Sequence, residues 1–286
     1  MTPRSIPAFS LTVLACAVLA GSCSTASVPV PAGDAARAEP AAYSTEFWKG
    51  FMDHPHGYLS ADSAPNALNF LPPAPAADSE RGRADMAAYR ASRSLEGTER
   101  WEIARADNEI ETPSAPRAFE CALGVKFEPE RMPTLTYLLA RMLGDLETIQ
   151  TPVKRGQFRE RPFVTEAAPI CIRAETWLAG SGSYPSGHSA MGWAWALTLA
   201  EMVPSRADAI LRRGLAYGES RAVCGVHYAS DVEAGRIVGA VMISRLKADP
   251  VFQRDFSRAS EELAAVRASN TETVPACSSV LATTPY

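Results

Sequence analysis

The chain has 286 residues, 47% of them hydrophobic and 21% charged, with a formal net charge of -4. That length and apolar content suffice for one good-sized domain with its own core. The mildly acidic balance gives no ground for a nucleic-acid partner, so any cationic site must be local.

The first residues read as an export signal. Arg4 supplies a short positive region, and Ala8 to Ala20 is apolar but too short to span a bilayer. Small residues follow. Ala20-Gly21-Ser22 before Cys23 loosely resembles a bacterial lipobox, which would make Cys23 a lipid anchor; the usual Leu is one residue out of place, at Leu19. Ordinary signal cleavage is the competing reading and leaves a soluble periplasmic or secreted protein. The expected organisation is a signal peptide over 1–22, a Pro/Ala-rich tether over 23–43, a domain over 44–268 and a loose tail over 269–286.

Leu71 to Ala77 reads as an extended segment wrapping the domain. From about Arg83 onward the pattern is helical, with no alternating stretch long enough for a sheet. Leu135, Leu138, Leu139, Met142, Leu143 and Leu146 form one helical stripe. Met191 to Val203 is apolar nearly all round and predicts a central buried helix. Ala207 to Tyr217 predicts another. Ser230-Asp231-Val232-Glu233 has capping-box form, with Ser230 as N-cap of a helix running to about Lys247. Gly235 and Gly239 on it would admit a close neighbour. Phe252, Phe256, Leu263 and Val266 form the stripe of a last helix. The expected fold class is all-α, a single-domain helical bundle.

Six cysteines are present. With Cys16 in the signal and Cys23 at its end, Cys121, Cys171, Cys224 and Cys277 remain, an even number that suggests disulfides in an exported chain. Three connectivities are open. No spacing supports zinc. His54 and His56 have HxH spacing, but no carboxylate or cysteine cluster lies near them in sequence.

The chemistry concentrates in three segments: Lys154 to Arg161-Pro162, Pro185-Ser186-Gly187-His188, and Ser220-Arg221 to His227 and Asp231. Phosphoryl transfer spreads charge over equatorial oxygens, and its catalysis needs preorganised donors. Arg161 and Arg221 each offer a planar fork, and Lys154 a point charge. Any one of these cations alone would read as a surface charge. Gly182-Ser183-Tyr184-Pro185-Ser186-Gly187-His188 leads into the buried helix, whose N-terminus is an anion site. Ser186 alone would read as a plain N-cap. His227 suits a nucleophile oriented by Asp231, and His188, kept protonated near the substrate, a general acid and base. Asp231 in a first helical turn is equally explained by the helix dipole.

Lys154-x6-Arg161-Pro162, Pro185-Ser186-Gly187-His188 and Ser220-Arg221-x5-His227-x3-Asp231 together resemble the pattern of the type 2 phosphatidic acid phosphatase and vanadium haloperoxidase superfamily. Gly182 to Ser189 and Asp231 to Arg236 are similar to the bacterial class A non-specific acid phosphatases, as are Phe70-Leu71-Pro72-Pro73 and Arg93 to Asn108. Ser189 stands where that class usually has Thr, and Phe70-Leu71 where it has Leu-Leu. The likeness spans residues 65–268. It implies an all-α fold and a phosphohistidine at His227, oriented by Asp231, with His188 as acid and base. It implies phosphate binding by Lys154, Arg161, Ser186, Gly187 and Arg221. No metal or other cofactor, periplasmic location, small-molecule phosphate monoesters as substrates and a homodimer are further implications.

Two other enzymes use nearly this oxyanion pocket, a vanadate-dependent haloperoxidase and a lipid phosphatase. The compact length and the class A strings argue against the first. The lack of a further apolar run of about twenty residues argues against the second. A helical anion-binding protein without turnover is disfavoured by complete nucleophile, base and orienter positions.

Overall fold

The structure is a computed structural model that describes residues 55–270 and Val274. The expected signal peptide and tether with Cys23, His54, and the tail from residue 271 apart from Val274 lie outside the described residues. Those described all belong to one compact unit. Its helices are α1 (Glu80–Ser92), α2 (Glu99–Ala106), α3 (Glu120–Leu123), α4 (Pro133–Gly156) and α5 (Pro162–Thr165), then α6 (Thr176–Gly180), α7 (Gly187–Met202), α8 (Ala207–Val223), α9 (Ala229–Leu246) and α10 (Pro250–Ala268). Among the described residues there is no strand, so the all-α expectation holds.

The apolar stripes do the packing. All six residues of the Leu135–Leu146 stripe are buried on α4, and α10, which packs against α4, buries Phe252, Leu263 and Val266 of its own. Each such leucine contributes on the order of 1.5–3 kcal/mol by leaving water. The central helix, α7, carries apolar residues on nearly every face because α4, α8 and α9 all pack against it. The buried indole N–H of Trp195 donates to the Leu139 carbonyl at 3.1 Å. Leu71 to Ala76 runs without helix, as expected. It is pinned where Tyr184 Oη donates to the Pro72 carbonyl at 2.9 Å and where Ala74 N–H donates to Gln157 Oε1 at 3.2 Å.

Two expectations need correction. Helix α8 does not stop at Tyr217 but continues to Val223. Gly218, a residue that weakens a helical pattern, is there for packing, since a Cβ would lie 2.7 Å from Ser189 Oγ of α7. Ser220 and Arg221 therefore sit within a helix. The N-cap of α9 is Tyr228, not Ser230. Asp231 occupies N3, and its Oδ2 accepts the Tyr228 N–H at 2.8 Å. The Ser230 hydroxyl is committed to Asp85 and Glu233 pairs with Arg81 at the surface, so neither serves the cap.

Tight contacts aim the polar ends of α7 and α9 at each other. A Cβ on Gly235 would come within 2.4 Å of the Ser186 carbonyl oxygen, so glycine lets the two N-termini abut. Ser186 N–H then donates to the Asp231 carbonyl at 3.0 Å. Cys171 and Cys224 form a disulfide, and Cys121 is disulfide-bonded as well. The first bond ties the loop before α6 to the end of α8, and Gly225, at φ +85°, turns the chain there towards His227.

Candidate active site

Each of the three sequence segments reaches one buried cluster by a different device. Lys154 stands in the last turn of α4. Its Nζ donates to the carbonyls of Pro185 at 2.8 Å and Gly182 at 3.2 Å, holding the turn that precedes α7 and leaving one of three N–H donors. Arg161 is kept extended at φ -74°, ψ 148° ahead of Pro162. Its Nε donates to the Leu178 carbonyl at 2.9 Å, and its Nη1 to the Val226 carbonyl at 2.8 Å. Nη1 also meets His227 Nε2 at 3.1 Å, and Nη2 meets Ser181 Oγ at 3.0 Å. Arg221 is 2% exposed on α8; its Nη1 donates to Asn108 Oδ1 at 3.0 Å and its Nε has no partner.

Ser186 is the N-cap of α7, its hydroxyl accepting from Ser189 N–H at 3.3 Å. The N–H groups of Gly187 and His188 in the first turn have no acceptor within the helix. Together with the helix dipole they face anions favourably. Gly187 also gives room, because a Cβ there would crowd the Gln150 amide at 3.1 Å.

Hydrogen bonding fixes the tautomer of each imidazole. A guanidinium can only donate, so the Arg161 contact requires a lone pair on His227 Nε2. The proton of neutral His227 is then on Nδ1. That nitrogen stands 3.6 Å from Asp231 Oδ2, beyond hydrogen-bond length, and no acceptor closes on it with hydrogen-bond geometry. The Ser183 carbonyl is near enough to favour the protonated ring. For His188 the logic reverses. The Asn108 carbonyl, 3.0 Å from Nε2, can only accept, which puts the proton of neutral His188 on Nε2 and the lone pair on Nδ1.

Charge and burial set the protonation states. Burial, then Arg161, Lys154 and Arg221, hold His227 well below the usual imidazole range. Burial and Arg221 do the same to His188, which also senses His227 and Arg161. Burial and these cations favour the neutral ring of His188, so the protonation expected of it near a substrate depends on the negative charge that the substrate brings. Lys154 is pushed down to about 7 by burial and Arg161, with Asp231 opposing. Burial, followed by Arg221, lowers Arg161 to about 10, and burial likewise lowers Arg221 to about 10, so both stay charged near neutral pH. Burial raises Asp231, and Arg159 is the largest influence pulling it back. The cluster is a preformed group of cations, and an oxyanion binding beside it would raise Lys154 and both histidines.

All eight sequence-selected residues are thus engaged around this one centre, whereas exposed His56 is not part of it. Three contributors escaped the sequence reading. Asn108 touches both His188 and Arg221. Arg159 and Asp85 hold Asp231 and Ser230. Asn108 lay inside the Arg93–Asn108 string, but nothing there marked it apart. Arg159 was one arginine among several near Lys154. Among the described residues, no group of three or more His, Cys, Asp or Glu could hold a metal ion, and no helix is long and apolar enough to cross a membrane.

The family model of the PAP2 superfamily matches residues 133–253, which run from the start of α4 into α10. An acid phosphatase of Zymomonas mobilis is 37% identical over 71% of this chain and 77% of its own length. Non-specific acid phosphatases of Providencia stuartii and Salmonella typhimurium are 37% and 38% identical. They cover 73% and 72% of this chain and 86% and 83% of their own lengths. With both histidines, the three cations and the capped turn gathered at one buried centre, the chain belongs to the PAP2 superfamily and, within it, to the class A type of non-specific acid phosphatase.

Proposed function

We propose that this phosphoric monoester hydrolase acts through a phosphohistidine at His227. The observation that carries the reading is the Arg161–His227 contact, which leaves the Nε2 lone pair in place beside a guanidinium that can bind the phosphate being attacked. Arg221, Arg161, Lys154, the Ser186 hydroxyl and the first N–H groups of α7 surround the phosphate oxygens. The phosphate dianion raises His188, whose Nδ1 takes a proton.

The Arg161 Nη1–H turns from His227 to a phosphate oxygen, and the freed His227 Nε2 lone pair attacks phosphorus as the bond to the leaving oxygen breaks. His188 Nδ1–H passes its proton to that oxygen. Asp231 faces the Nδ1–H edge of His227 and balances the charge the ring acquires. Water then attacks phosphorus, gives its proton to His188, and the phosphorus–nitrogen bond breaks to restore His227. An alcohol in place of that water yields phosphotransfer. No step uses a metal ion, so EDTA leaves hydrolysis unchanged.

The test is His227→Ala on p-nitrophenyl phosphate with a single-turnover trap for phosphoprotein. The wild type forms an acid-labile, alkali-stable phosphoenzyme and the variant forms none, losing activity by roughly 10⁴-fold or more. Retained turnover in the variant overturns the reading. Phosphatidic acid hydrolysis and vanadate-dependent halide oxidation are the controls for the two related enzymes.

Export to the periplasm and assembly as a homodimer belong to the same proposal, as does the lipid anchor at Cys23. The mass of the mature N-terminus decides between anchored and soluble forms, and sedimentation decides the assembly.

A further inference from the structure

Asp231 is gripped from the side away from the imidazole. Its Oδ1 accepts from Arg159 Nη1 at 2.7 Å, while Oδ2 holds the Tyr228 N–H and faces His227. Arg159 Nη1 also meets Ser230 Oγ at 2.8 Å, Arg159 Nη2 donates to Asp85 Oδ2 at 2.7 Å, and the guanidinium lies 4.0 Å over the Tyr228 ring. Asp85, on α1, accepts the Ser230 N–H at 3.0 Å and the Ser230 hydroxyl. Three separated segments, α1, the loop between α4 and α5, and the first turn of α9, thus meet at one point.

Asp85 is 2% exposed and Asp231 0%. Burying two carboxylates on one guanidinium is a costly way to stabilise a fold, since desolvation offsets most of the attraction. The arrangement makes better sense as alignment. Arg159 fixes the direction of the carboxylate that faces the nucleophile, and Asp85 fixes Arg159.

We infer that Arg159 and Asp85 are positioning residues for the phosphatase reaction, setting the orientation of Asp231 and through it the ring of His227. This rests on the reading of His227 as the nucleophile. The charged and titratable groups facing Asp231 are Arg159, Lys154, Arg161, His227, Tyr184 and Tyr228. Of these, Arg159 does most to hold the carboxyl ionised against burial. Without it Asp231 takes up a proton at higher pH, so the acid limb of the rate profile moves up in pH.

The experiment uses the full chain and p-nitrophenyl phosphate, with kcat and KM measured across the acid and neutral range. Arg159→Gln lowers kcat roughly 30–100-fold, changes KM less than about 3-fold and moves the acid limb to higher pH. Arg159→Lys, which keeps the charge, recovers to within about 10-fold of the wild type, and Asp85→Asn loses about 5–10-fold. In an Asp231→Ala background, Arg159→Gln lowers kcat by no more than about 2-fold further, because its target is gone.

A raised KM with unchanged kcat overturns the inference, making Arg159 a direct phosphate ligand. So do losses that simply add to those of Asp231→Ala. If Arg159→Gln fails to fold by circular dichroism, Asp85→Asn and Arg159→Lys carry the test, and an unchanged kcat in both, or a loss confined to KM, overturns it. A wild type that forms no phosphoenzyme fails the nucleophile reading instead, whatever these variants do.

Discussion

Helix α8 carries two buried arginines, Arg213 and Arg221, each 2% exposed, and they are treated in opposite ways. Arg213 is closed. It makes a two-pronged pair with Asp107, and its Nε donates to the Ala118 carbonyl. Ser220 Oγ adds a 2.6 Å bond to the same carboxylate. Arg221 is open. The neighbouring residue, Asn108, gives it a neutral amide oxygen, and its Nε is left without a partner. A buried cation without a contacting carboxylate is expensive unless something else brings negative charge. One chain position, aspartate at 107 or asparagine at 108, separates an arginine that holds the fold from one prepared to hold a substrate.

The largest effect should come from breaking the closed pair. Arg213→Ala leaves Asp107 buried and unpaired, and should cost about 3–5 kcal/mol. Chemical denaturation measures this, and any enzyme that remains folded should keep a near-normal KM. A large KM change with unaltered stability would mean that the two arginines do not differ as described.

Closing the open arginine comes next. Asn108→Asp sets a carboxylate against Arg221 and beside His188. It should lower kcat/KM for p-nitrophenyl phosphate by about 100-fold, equivalent to about 2.7 kcal/mol. Thermal stability should hold or rise. Unchanged kcat/KM would show that the unneutralised charge is not used.

The smallest effect sharpens the comparison through Lys154, a third site cation that, unlike the arginines, can lose its charge. Its ammonium is favoured below about 7 and lost above it. Phosphate affinity should therefore fall as pH rises through that value, which limits the enzyme to acid and neutral conditions. Lys154→Arg keeps its charge throughout. The alkaline limb of inorganic phosphate inhibition should move up in pH with only a few-fold loss of activity. An unmoved limb would assign it to another group.

Helices were legible where burial follows a one-dimensional rule. The Leu135–Leu146 stripe is periodic because α4 leaves one side, with Tyr137, Arg141 and Thr148, less buried, and α7 is apolar all round because three neighbours cover it. The Ser230 cap misled because a capping box is read from residue types alone, while Asp85, far away in sequence, had claimed the hydroxyl. The same limit hid Asn108, Arg159 and Asp85 from the site. Each acts through partners far away in sequence, Arg159 with Asp231 at a separation of 72 for one, and none carries a reactive group that singles it out.

By itself, then, the sequence determined the residue types that can do the chemistry: the two imidazoles, the three cations and the capped turn, each recognisable from local spacing. Only the tertiary structure decided their electrical state. Whether a histidine holds its proton on one nitrogen or the other, whether a lysine titrates near neutrality and whether an arginine is neutralised all depend on burial and on charges brought from elsewhere in the chain. Coulomb and desolvation energies follow distance in space, which local sequence does not encode.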